Sequence, residues 1–104
     1  MTVAEIIRVV ASHHMVQPSK LRGPDRHRDL STARMIVALL SKRLTTASYP
    51  EIGRALGGRH HTTIMYERAK AERLLVQDAF RAVVDEIAAR LNEETPCAAS
   101  STGS

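Results

Sequence analysis

The sequence predicts an all-α fold, a small bundle of five to six helices, on three observations. Apolar residues recur at helical spacing in several separate stretches, most cleanly as Phe80, Val83, Val84, Ile87, Ala88 and Leu91. No segment alternates apolar and polar residues cleanly enough to be read as a strand. Aromatic residues are only 3% of the 104, with no Trp, so the 43% hydrophobic fraction makes an aliphatic core. Such a core suits small packed helices better than a β-sandwich. The length fits one domain, taken as residues 1–94, followed by a tail over 95–104.

Thr2 with Glu5 three residues later is a capping box that opens the first helix, and Ile6, Ile7, Val10 and Ala11 form its apolar face. Gln17-Pro18-Ser19-Lys20-Leu21 reads as a break and a short helical turn, with Pro18 at a first helical position. The run Arg22 to Asp29 has no apolar residue and holds both Gly23 and Pro24, so it is expected to be a loop, basic despite two aspartates. Ser31 or Thr32 is expected to cap the next helix, which carries Ile36, Leu39, Leu40 and Leu44. Thr45 to Ser48 ends it. A second capping box, Ser48 with Glu51, opens a short helix holding Ile52, Ala55 and Leu56, and Gly57-Gly58 closes that one. Arg59 to Thr63 leads into a helix that runs towards Leu74 or Leu75. Asp78 is the expected cap of the last helix. From Thr95 to Ser104 the periodicity vanishes, which predicts a disordered tail.

Fifteen Lys and Arg against eleven Asp and Glu leave a net charge of +4, which ordinary solubility would explain as well as a nucleic-acid partner. The single cysteine, Cys97, lies in the tail, so no intrachain disulfide or cysteine metal site exists, and a reducing cytoplasm is expected. No stretch approaches a membrane span, and residues 1–11 lack the pattern of a signal peptide. His13-His14 and His60-His61 are neighbours about 100° apart on a helix and cannot both face one ion, so no metal is expected. No serine stands in a nucleophile-elbow context, so no catalytic residue and no cofactor is assigned.

The informative unit surrounds Gly57-Gly58. A short helix, a tight glycine turn and a helix that begins with small polar and basic groups follow the logic of a helix-turn-helix, here preceded by a basic loop. In such a unit the start of the second helix reaches base edges in the major groove. Thr62 and Thr63 suit that place, because a hydroxyl bonds to bases or phosphates and the methyl packs on thymine. A plain helical hairpin has the same spacing, so the pattern alone leaves both readings open.

The stretches Ser48-Tyr49-Pro50-Glu51-Ile52-Gly53 and Gly57-Gly58-Arg59-His60-His61-Thr62-Thr63-Ile64 resemble the signature of the bacterial chromosomal replication initiator DnaA, in its C-terminal DNA-binding domain. The likeness runs without gaps from Thr2 to about Lys70. It implies that Arg26, in the basic loop with Arg28, enters a minor groove, where an A·T-rich narrowing attracts guanidinium. It implies that Arg34 and Lys42 contact DNA from the following helix and that Pro50 packs against the duplex at the start of the turn unit. Arg59, His60, His61, Thr62 and Thr63 fall at the start of the recognition helix, and Lys70 further along it faces phosphate. Double-stranded DNA is the implied partner, and a nucleoid-associated place in the cytoplasm follows.

Two departures bear on specificity. His60 stands where the family has an Asp that accepts from a cytosine amino group; an imidazole also donates, which shifts the preferred base towards guanine or another acceptor-rich edge. Ser31-Thr32-Ala33-Arg34-Met35 replaces the usual Ala-Arg-Pro-Arg-Gln, losing one arginine and one polar reader and weakening binding to the family's usual box. The chain contains no G-x-x-x-x-G-K-[ST], so no nucleotide partner is expected, and a stand-alone binder of sites is the favoured reading. The alternatives are a domain excised from a full initiator, or an adaptor that docks a protein through the stripe from Phe80 to Leu91.

Overall fold

The structure, a computed structural model, describes residues 1–94, so the expected tail and Cys97 lie outside the described residues. Six helices follow in order: α1 Val3–His13, α2 Pro18–Arg22, α3 Arg28–Leu44, α4 Tyr49–Ala55, α5 His61–Leu74 and α6 Asp78–Glu94. Both expected capping boxes form. The Thr2 and Ser48 side chains accept from the Glu5 and Glu51 amides, and the two carboxylates accept from the Thr2 and Ser48 amides at 2.7 Å each. The Ser48 amide draws the Glu51 carboxyl below its ordinary range.

α3 is the axis of the molecule. Ten of its seventeen residues are buried, from Leu30 and Ala33 through Ser41, because α1, α2, α4 and α5 all pack around it. Ile6, Ile7 and Val10 of α1 meet this helix, as do Leu21, Ile52, Leu56 and Ile64 from the elements that follow. α6 lies on α1, and Val84, Ile87 and Leu91 are buried there, with Phe80, Val83 and Ala88 packed partly against the same core. Of the six residues in the stripe weighed as a docking face, three are thus buried and three are partly exposed.

Two boundaries differ from expectation. α3 begins at Arg28, three residues before Ser31, because His27 caps it: its Nδ1 accepts from the Asp29 amide at 3.4 Å. The loop shortens accordingly to residues 23–27 and Arg28 becomes helical. Asp78 is the first residue of α6 and pairs with Arg81 at 2.6 Å. Met15, after α1, takes φ 59° and is 91% exposed. That left-handed position closes the helix, with Val16 N–H donating to Ala11 O at 3.0 Å, and is one where glycine is the usual residue.

Candidate nucleic-acid interface

Little of α5 is interior. Over fourteen residues of α5 only Ile64 and Ala71 are buried. His61, Thr62, Thr63, Met65, Tyr66, Ala69 and Lys70 are exposed, so one long face stands open to solvent. A helix with so narrow an apolar stripe is held by other means. Gly57 and Gly58 both take φ +88°, turning the chain from α4 into α5, and the Gly58 and Arg59 amides both donate to Gly53 O at 2.9 Å. On its far side, Arg68 donates to the Tyr49 hydroxyl at 2.9 Å, while Glu72 pairs with Arg43 at 2.8 Å and with Arg68 at 3.4 Å. This network ties α5 to α3 and α4. Its ion pairs are partly exposed, so each contributes only about 0.2–1 kcal/mol.

His60 is the cap of α5. Its Nδ1 accepts from the Thr62 amide at 3.2 Å and lies 2.8 Å from the Thr62 hydroxyl. With Nδ1 accepting the Thr62 amide, a neutral ring would carry its hydrogen on Nε2. The His61 ring lies against it, centroids 4.3 Å apart.

The basic loop stands beside this helix start. A cleft of about 540 Å³ is lined by Arg22, Arg26, Arg34, Arg59, Thr63 and Glu67. Arg26 and Arg28 are exposed. Sequence spacing gave no sign that the loop and Thr63 share a cleft.

Two of the arginines expected at the DNA donate inward to backbone carbonyls. Arg34 is only 3% exposed, and its guanidinium donates to four backbone carbonyls: Leu21 at 2.9 Å, Asp25 at 2.6 Å, and Lys20 and Gly23 at 3.0 Å each. Four of its five N–H groups are thus committed within the protein. Burial, then the nearby Arg59, lowers its pKa. Arg59 likewise donates to Gly23 O at 2.8 Å, to Leu21 O at 3.4 Å and to Leu56 O. The family likeness identified both arginines but not their direction, because their acceptors are backbone atoms brought near only by the fold.

Lys42 is half-buried, 4.6 Å from the Tyr49 ring centroid, and donates to Ala47 O at 3.3 Å. Pro50 is exposed in the first turn of α4, and Lys70 is exposed on α5. Tyr66 and Glu67 were missed by sequence reading. Tyr66, 62% exposed, stands one turn from Thr62 and Thr63 on the open face, a position that helical spacing from Thr62 would have found.

A polar, open second helix after a glycine turn, with an arginine loop at its start, defines a helix-turn-helix DNA-binding domain. The chain belongs to the family described as bacterial dnaA protein helix-turn-helix, which matches residues 3–70. It is 42% identical over 93 residues to the chromosomal replication initiator protein DnaA of Roseobacter denitrificans, covering 89% of this chain and 20% of the relative. It is 45% identical over 78 residues to that of Cereibacter sphaeroides (75% of this chain, 17% of the relative). It is 42% identical over 74 residues to that of Thermus thermophilus (71% and 17%). The chain spans about a fifth of the length of these relatives.

Proposed function

We propose that this chain binds double-stranded DNA sequence-specifically, as a regulator at initiator-type sites or a competitor for them. α5 lies in the major groove and Arg26 enters the adjacent minor groove. The observation that carries this reading is the cleft into which Arg26 and Thr63 both open. A single duplex strand separates two neighbouring grooves, and a helix start beside a basic arm straddles it. His61, Thr62 and Thr63 supply base and phosphate contacts, Arg28, Lys42 and Lys70 supply positive charge for phosphate, and Pro50 packs against the backbone. Tyr66 extends the same face. His60 is exposed and, with Nδ1 accepting the Thr62 amide, donates to the DNA from Nε2, which favours a base edge rich in acceptors, as guanine O6 and N7 are.

Selection from randomised duplex DNA, followed by mobility shift across a salt series, tests the reading. Binding through about six phosphates gives a log–log salt slope near −5. Thr63→Ala is expected to lose about 1–3 kcal/mol on the selected site and relax base choice there. Arg26→Ala is expected to weaken binding most where the flank is A·T-rich. A chain that retains no duplex even at low salt is an adaptor and not a reader. Selected sites identical to the usual family box, with no guanine preference opposite His60, remove the role given to that ring.

A further inference from the structure

The basic loop and the recognition helix are far apart in sequence, Gly23 and Arg59 being 36 positions apart, yet one side chain joins them directly. Arg59 precedes the cap of α5 and reaches back from the turn to the end of α2. Its two Nη groups donate to Gly23 O at 2.8 Å and Leu21 O at 3.4 Å, and Nη1 also meets Leu56 O. Carbonyls at the ends of α2 and α4 have no partner within their own helices, so a shared donor satisfies both ends at once. A planar fork does this in a fixed geometry that a lysine ammonium, equal in charge, does not reproduce.

Arg34 holds Leu21 O and Gly23 O from the side of α3, and also Asp25 O, directly before Arg26. Within the loop, the His27 amide donates to Asp25 Oδ1 at 3.0 Å, so the residues on either side of Arg26 are fixed. The turn itself lies against this segment: a Cβ on Gly57 would fall 2.0 Å from Arg22 O. Arg34 anchors the loop to the core. Arg59 alone of the two ties it to the turn that launches α5.

We propose that Arg59 is a positioning residue for DNA reading, setting the offset between Arg26 and the recognition helix by tying the carbonyls of Leu21 and Gly23 to that of Leu56. The inference rests on the two-groove reading above. It makes Arg59 act through Arg26 and not through phosphate, so its effect belongs to the minor-groove contact.

A double-mutant cycle on selected sites with A·T-rich or G·C-rich flanks tests it, using Arg59→Lys with Arg59→Gln alongside, and thermal melts to follow folding. Arg59→Lys is expected to lose about tenfold in affinity on A·T-rich flanks and less than about twofold on G·C-rich ones, with the salt slope of the parent. In the Arg26→Ala background the same change has no further effect, whereas with Thr63→Ala its full effect remains. Additive losses with Arg26→Ala, or equal losses on both flanks, overturn the positioning role while leaving DNA binding intact. Loss of the cooperative melt in both Arg59 variants also overturns it, by making the residue a stability element. A parent chain that selects no duplex overturns the two-groove reading itself, and this inference with it.

Discussion

Glu67 stands one turn beyond Thr63, with its carboxyl in the cleft among arginines. Its Oε1 is buried and has no hydrogen-bond partner. Desolvation raises its pKa, against the pull of Arg59, Arg34 and Lys70. The folded state therefore holds this proton more tightly than the unfolded chain does. Its contribution to stability is full below the ordinary carboxylate value and is lost as pH rises through the raised one. Glu67→Gln removes that loss, so its melting temperature should exceed the parent's by a margin that grows over this window. Melts in buffers from about pH 4 to about pH 8 check it, and a margin that stays constant contradicts the assignment. The residue was invisible to motif reading because one acid on a charged helix carries no signal; only the cleft gives it neighbours.

At the scale of elements, the turn between α4 and α5 makes the sharpest demand on the chain. Gly57 and Gly58 share φ +88°, but an added Cβ on Gly57 strikes Arg22 O whereas one on Gly58 meets open space. Gly58→Ala should lose about 1–2 kcal/mol, the cost of a left-handed alanine. Gly57→Ala should lose more, because backbone must also move, and it should disturb the basic loop as well as the turn. Urea denaturation of both variants measures the difference, and equal losses would mean that the turn and loop are not in contact. The glycine pair and both capping boxes were legible in sequence, since each is a local rule about adjacent backbone groups. The His27 cap and the left-handed Met15 were not. Histidine is no preferred cap, and Met15 sits where local preference favours glycine.

For the whole molecule, α3 buries its surface against four partners while α6 covers α1 from outside. α6 thus shares one core with the helix-turn-helix, joined to α1 by Val84, Ile87 and Leu91 and by contacts such as Arg90 to the Ser12 hydroxyl at 3.1 Å. Ile87→Ala should lose about 2–5 kcal/mol of stability, as truncation of a fully buried aliphatic does. It should leave affinity for a selected site nearly unchanged at temperatures where the variant stays folded. Chemical denaturation beside mobility shift separates the two effects. A negligible loss of stability would return α6 to the status of a docking face. No helix among the described residues is long and apolar enough to cross a membrane.

The sequence by itself determined the helical class, the aliphatic core, the helix-turn-helix and the family, because periodicity, caps and motif are written in residues close together in the chain. Tertiary structure alone decided which way the arginines turn. Arg26 and Arg28 face solvent, while Arg34 and Arg59 turn inward to carbonyls of a segment distant in sequence. The physical reason is that a guanidinium has the same charge in either place, and its direction is set by which unpaired acceptors the fold brings within reach.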